Sequence, residues 1–420
     1  MKVGLYPALD DANLDLDRGT SNRLLSVAVS AIADSVDRSL PVNLCLVLDH
    51  SGSMGGRPLE TVKKAAMGLV ERLNPGDRIS VVAFDHRAKV LVSNQTIDNL
   101  DKVKRQIQRL EADGGTAIDE GLKLGIEEVA KGKKDSVSQV FLLTDGENEH
   151  GDNKRCLKLA QLAIERKLTI NSLGFGANWN QDVLEKIADA GGGTLSYIEQ
   201  PEQAVTEFGR LFNRIQTVGL TNAYLLFDLM PNVRFAELKP VAQVTPDTIE
   251  LPLQKEGSRF MVRLGDLMTD AQRVILANLY IGKLPQGKIC ASQQRFAIAS
   301  LQVRYDNPAI SQEALLSDLI PVEVNVESVY QPALNPEVEQ YSLALRKYRQ
   351  TQLAETKLQQ GDRIAAATLL QTAAKTALQM GDIPGATVLQ TSATVLQSGE
   401  DLSEGDRKKT RIVSKTILQP

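Results

Sequence analysis

Three short stretches of this 420-residue chain carry side chains that can do chemistry together. Asp49-His50-Ser51-Gly52-Ser53 follows the nearly continuous apolar run that starts at Val42. Gly114-Gly115-Thr116 precedes a helical periodicity beginning at Ala117, and Thr144-Asp145-Gly146 closes a second apolar run, Val140-Phe141-Leu142-Leu143. Asp49, Ser51, Ser53, Thr116 and Asp145 supply two carboxylates and three hydroxyls, all oxygen donors. That set suits a hard divalent cation (magnesium, calcium or manganese) and suits zinc or copper poorly. Two carboxylates balance the charge, and magnesium usually keeps several waters, so one coordination position is expected to be exchangeable and open to an acidic group of another protein. The competing reading makes these residues helix caps, with Thr116 capping the helix at Ala117.

The three histidines of the chain, His50, His86 and His150, fall near the same loops. They read as the polar rim of a ligand site, together with Asp85, Glu147, Asn148 and Glu149. The sharper alternatives are a zinc cluster or a general base beside metal-bound water. Asp11-Ala12-Asn13-Leu14-Asp15-Leu16-Asp17 imitates the opening of a calcium loop. Leu16 stands where that loop needs Gly, and Asn22 where it needs Glu, so a solvated acidic turn is expected. No phosphate-cradling glycine motif is present: Gly191-Gly192-Gly193 lacks the required context.

These loops need elements to bring them together. Between about residues 40 and 217, buried apolar runs alternate with helical periodicities. Strands are expected at Val42–Leu48, Ile79–Phe84, Lys89–Val92, Val140–Thr144, Leu168–Leu173 and Thr194–Tyr197. Helices are expected after Pro58 and over Val103–Leu110, Ala117–Val129, Cys156–Arg166, Val183–Ala188 and Ala204–Ile215. Alternation of this kind implies a doubly wound, mostly parallel α/β sheet, whose ligand loops lie beyond the carboxyl ends of its strands. After Thr217, short strand-like runs separated by Pro, Gly and Asp suggest a β-sandwich. Leu24–Ser30 has the same texture, so the α/β unit is expected to be inserted into that β-domain. From Asn335 the chain turns helical. Leu358-Gln359-Gln360-Gly361-Asp362 recurs as Leu378-Gln379-Met380-Gly381-Asp382, where Gly ends one helix and Asp caps the next. The expected divisions are 1–38, 39–217, 218–332 and 333–420, and the basic segment from Arg407 to Pro420 is expected to fray.

Residues 40 to 217 resemble a von Willebrand factor type A domain. Asp49, Ser51, Ser53, Thr116 and Asp145 match, in order, the five positions of that family's metal-ion-dependent adhesion site. The surrounding Asn74-Pro75-Gly76-Asp77-Arg78 and Thr144-Asp145-Gly146 resemble its bacterial and plant intracellular branch. In that family a partner's Asp or Glu completes the coordination of the metal. The resemblance therefore implies a non-enzymatic, metal-dependent protein-interaction module whose partner presents an acidic residue. Rival readings are a divalent-cation (calcium) sensor, an accessory subunit of an AAA+ ATPase and, least favoured, a metal-dependent hydrolase. Oligomerisation through the Ala- and Leu-rich helices is a further expectation.

Composition sets the outer limits. Lys plus Arg total 48 against 52 for Asp plus Glu, so no global basic excess holds a nucleic acid or an anionic membrane. No apolar run is long enough for a membrane span, and the first residues are too acidic for a signal peptide. Three scattered cysteines (Cys45, Cys156, Cys290) read as buried apolar residues in a reducing compartment, so the expected location is the cytoplasm.

Overall fold

The computed structural model describes residues 1–15, 19–33, 40–176, 178–283, 295–326 and 329–416. Leu16, Asp17 and Cys290 lie outside the described residues. The chain opens with strands β1 (Lys2–Leu9), β2 (Asn13–Leu14) and β3 (Thr20–Ile32). Six strands and six helices follow: β4 (Val42–Asp49), α1 (Arg57–Val70), β5 (Arg78–Phe84), β6 (Ala88–Thr96), α2 (Leu100–Gln108), α3 (Ile118–Ala130), β7 (Val137–Thr144), α4 (Asn153–Glu165), β8 (Thr169–Phe175), α5 (Gln181–Gly191), β9 (Gly192–Ile198) and α6 (Gln203–Gln216).

These strands form one sheet in the order β6-β5-β4-β7-β8-β9, parallel except for the β5–β6 hairpin at one edge. Every residue of β4, β7 and β8 is buried, as expected of strands covered on both faces. One face packs on α1, α2 and α6 through a core that includes Leu46, Val62, Ile107, Phe141 and Phe208. The other packs on α3, α4 and α5 around Val47, Leu122, Leu142, Cys156 and Trp179. Helix α3 approaches the sheet closely because two of its inward positions are glycine. A Cβ at Gly125 would lie 2.4 Å from Val47 Cγ2, and one at Gly121 would lie 2.6 Å from Phe84 Cδ1.

The β-rich part continues through β10 (Val218–Leu229), β11 (Val233–Phe235), β12 (Val241–Thr245), β13 (Ile249–Glu250), β14 (Gln254–Glu256), β15 (Arg259–Met268), β16 (Arg273–Gly282), β17 (Arg295–Asn307), β18 (Gln312–Leu316) and β19 (Ile320–Val326). Two sheets, β1-β3-β16-β12-β13 and β14-β15-β10-β17-β19-β2, share one core that includes Leu25, Val27, Leu225, Phe227, Ile275 and Val303. β3 pairs with β16 and β2 with β19. Strands on either side of the α/β sheet in sequence thus build one sandwich.

Asp11, expected in a solvated turn, is instead buried. Its carboxylate accepts from the Asn13 and Ala333 amides and the Tyr330 hydroxyl, and it faces Arg23. It fastens the N-terminal strands to the segment leading into the helices.

Four helices end the chain: α7 (Pro336–Gln359), α8 (Arg363–Gln379), α9 (Ile383–Gln397) and α10 (Glu404–Lys415). Here the expectation of a frayed basic tail fails for residues 407–416, and residues 417–420 lie outside the described residues. Thr410 is buried and shares a hydrogen bond with Ser392. Lys415 pairs with Glu185 and Asp189, Arg411 with Asp182, Glu185 and Glu355, and Lys408 sits over the Trp179 ring. The basic residues of α10 match the acidic face of α5, so the last helix is docked on the α/β unit. No helix among the described residues is long and apolar enough to cross a membrane.

Candidate metal centre

In the register of the α/β sheet, Leu48 on β4 lies opposite Ala83 on β5 and Leu143 on β7. Asp49 and Thr144 therefore leave the sheet side by side. The Thr144 hydroxyl donates to Asp49 Oδ2, and the Ser51 amide donates to Asp49 Oδ1 at 2.8 Å. From there an oxygen chain runs outward. Ser51 Oγ and Ser53 Oγ are 3.1 Å apart, and Ser53 Oγ donates to Asp145 Oδ1 at 2.7 Å. Thr116 closes the other side: a Cβ on Gly146 would stand 3.1 Å from Thr116 Oγ1. Asp49, Ser51 and Thr116 are buried, while Asp145 is half-buried at the mouth.

Backbone bonds tie the loops together. Gly52 N donates to Gly114 O, Asp113 N to His50 O, Ala117 N to Asp85 O and His150 N to Thr116 O. Gly114, with φ of 68°, lets the chain turn beneath His86.

The electrostatics of this cluster favour a cation. Burial pushes the Asp49 carboxyl up to about 6; its hydrogen bonds from Thr144 and Ser51 oppose the shift, and the neighbouring Asp145 charge adds to it. Burial also raises the Asp145 carboxyl. Two carboxylates crowded in a partly desolvated pocket, with hydroxyls between them, fit a hard divalent ion. Among the described residues no three His, Cys, Asp or Glu side chains gather around a common point, so the donor set depends on its hydroxyls.

Thr116 is no helix cap. Helix α3 begins at Ile118, and its Ile118 amide is capped by Asn148 Oδ1 at 2.7 Å. Asn148, expected on the rim, is buried and also donates to Asn153. Replacing Asn148 by Ala is expected to cost about 1–2 kcal/mol, since it removes a helix cap and unpairs buried groups. Denaturant unfolding checks this.

His50 also leaves the rim. It is buried, its Nδ1 lies 2.9 Å from the Glu111 carbonyl oxygen, and burial lowers its pKa. His86, Glu147, Glu149 and His150 are exposed around the mouth, and Asp85 is half-buried. The rings of His86 and His150 flank Gly114 and Gly115 with centroids 6.4 Å apart.

Residues 43–210 match the family model of the von Willebrand factor type A domain. Residues 336–420 match that of the Sll0103-like, C-terminal alpha-helical domain. Across all 420 residues the chain is 60% identical to the Synechocystis sp. protein sll0103 and covers 98% of it. The chain belongs to the Sll0103-like family of von Willebrand factor type A proteins. The inter-alpha-trypsin inhibitor heavy chain H4 of Bos taurus is 25% identical over 63% of the chain, which spans only 29% of that relative. Among solved structures, a von Willebrand factor type A protein from Catenulispora acidiphila superposes with a TM-score of 0.81 at 18% identity. That match covers 100% of this chain and 97% of the other. It shows that the fold of this Sll0103-like protein, sandwich and helical domain included, is shared at low identity.

The residue of this cluster that sequence reading passed over is Thr144. It was legible only as part of Thr144-Asp145-Gly146, whereas its hydroxyl orients the buried carboxylate of Asp49. The signal was its place at the end of a strand adjacent to β4, which becomes visible once strand order is known.

Proposed function

We propose that this Sll0103-like protein is a metal-dependent protein-interaction module, not an enzyme, working in the cytoplasm. A magnesium, calcium or manganese ion held by Asp49, Ser51, Ser53, Thr116 and Asp145 captures an Asp or Glu of a partner. The observation that supports this best is the linked series Asp49–Ser51–Ser53–Asp145, joined by the Ser51 amide and the two serine hydroxyls and opening from a buried floor to a half-buried mouth. When bound, the ion supplies a positive centre with an exchangeable position. The protein's own groups do the rest: Thr144 and the Ser51 amide hold Asp49, backbone bonds lock the three loops, and the exposed His86, Glu147 and His150 select among partners. The two described cysteines, Cys45 and Cys156, are buried free thiols pushed up to about 12, which is consistent with a reducing compartment.

The test is partner capture from a cell extract on the immobilised full chain, with magnesium and then with a chelator. A protein retained only with metal, and displaced by free acetate or glutamate, is the expected result. Capture indifferent to chelator and to carboxylate would overturn the reading.

A further inference from the structure

At the opposite end of the α/β sheet from the metal loops, the α/β unit and the sandwich enclose an open cleft of about 580 Å³. Its walls include Arg263 on β15, Arg273 on β16, Tyr224 on β10, Lys186 on α5 and the backbone of Gly192 and Gly193. A second recess shares Gly192, Gly193 and Arg273 with it and adds Arg214 at the end of α6. Three guanidiniums thus converge where two domains meet. Among the described residues none of them has a carboxylate oxygen within 4 Å. Arg273 donates instead to the Asp266 carbonyl and to Gln243 Oε1, and Arg263 Nε is buried without a hydrogen-bond partner.

The acidic groups nearby do not neutralise them. Asp189 is engaged by Lys415 and Glu250 by Arg349. Asp266 accepts from Gln139 and Thr169, and Asp247 adds only a longer-range charge. Three guanidiniums and the Lys186 ammonium therefore face Asp247, Asp266 and, beside Arg214, Asp270, which among the described residues have no cation of their own. The charges strain against burial and one another: Arg214 and Arg263 are lowered chiefly by desolvation, and Arg273, beside both, falls to about 9. The backbone accommodates the crowding through glycine. Gly192 has φ of 72°, and a Cβ there would overlap an Arg263 Nη atom.

We propose that this cleft binds a small phosphomonoester, its phosphate seated between Arg263 and Arg273. Two guanidiniums with no carboxylate oxygen within 4 Å suit such a group, whose charge of roughly −1.5 to −2 near neutrality exceeds that of one carboxylate. Guanidiniums suit its oxygens through paired hydrogen bonds. The apolar remainder of the molecule would lie against Leu157, Ile164, Leu251 and Pro252 on the cleft wall. Because the walls come from both domains, the ligand would fasten the α/β unit to the sandwich and so stabilise the fold by mass action.

Calorimetry and thermal unfolding of the full chain test this, with inorganic phosphate, phenyl phosphate and citrate at ionic strength fixed with sodium chloride. The expected result is saturable phosphate binding that raises the melting temperature, with phenyl phosphate tighter than phosphate and citrate weaker. Arg263→Gln should weaken phosphate by about tenfold or more, the usual worth of a charge-assisted pair. Lys186→Gln, at an exposed position that leaves folding intact, should weaken it severalfold. Asp145→Ala, at the metal centre, should leave phosphate binding unchanged, which separates this site from the one proposed above. Stabilisation that sodium chloride reproduces, affinity that Lys186→Gln does not alter, or citrate binding tighter than phosphate would each overturn the proposal.

Discussion

Replacing Asp145 by Ala is expected to abolish measurable divalent-cation binding while leaving the metal-free protein as stable as before, or more so. The carboxylate sits half-buried at the mouth, and among the described residues its one side-chain partner is the Ser53 hydroxyl, which can turn to water. Without a cation its charge only adds to the electrostatic burden on buried Asp49. With a cation it supplies half of the protein's compensating charge. Truncating one partner of a close charge pair typically costs about 2–5 kcal/mol, so affinity should fall by a factor of about 30 to several thousand. Asp49→Ala is a poorer probe. Asp49 is fully buried and accepts from both Thr144 and the Ser51 amide, so its loss damages the floor of the site as well as the coordination. Calorimetric titration with magnesium, calcium and manganese, paired with thermal unfolding in chelator, reads both halves of the prediction. Undiminished binding in Asp145→Ala would exclude the proposed coordination, and a collapse of metal-free stability would show that the carboxylate is structural.

The α/β sheet was legible because its central strands are buried on both faces. Val42–Leu48 and Val140–Leu143 are continuous apolar runs that no surface strand would carry, and their ends place Asp49 and Asp145 at one edge of the sheet. The five candidate ligands converge for that reason. The rim was less legible, because loop residues carry no periodicity. His50 and Asn148 are polar residues turned inward, one against the Glu111 carbonyl and the other against the start of α3. Nothing in their spacing distinguishes them from the exposed His86 and His150. Basic α10 was misjudged for a related reason. Its lysines and arginines read as solvated until the acidic face of α5, more than two hundred residues earlier, is brought against Arg411 and Lys415. The arginine cleft escaped notice too, since Arg214, Arg263 and Arg273 come together only when two domains dock.

The Gly-Asp echo shows the same divide between local and tertiary information, and it leads to the largest stability effect expected in the helical domain. Gly361 and Gly381 adopt φ of 79° and 78°, ending α7 and α8, and Asp362 and Asp382 cap α8 and α9 through the Ala365 and Gly385 amides. Locally the two copies are equivalent. Asp362, however, is exposed, whereas Asp382 is buried and its other oxygen binds Lys347 Nζ at 2.8 Å, with both side chains at most 1% exposed. Lys347 also donates to the Thr416 carbonyl, so the pair links α7, the start of α9 and the end of α10. Lys347→Met keeps the length of the side chain but strands the Asp382 carboxylate in an apolar interior. The expected loss is about 3–5 kcal/mol, the range for breaking a buried pair from one side. Lys347→Met combined with Asp382→Asn should recover most of it, because the amide still caps α9 and no charge remains buried. Asp362→Asn should change stability by only a few tenths of a kcal/mol, since Asn and Asp cap about equally well and the site is wet. Denaturant unfolding of these three variants of the full chain, beside the unsubstituted protein, separates these outcomes. If Lys347→Met proved as mild as Asp362→Asn, the buried pair would not be holding the helical domain together. If the double variant were no better than the single one, the loss would lie in packing rather than in the stranded charge.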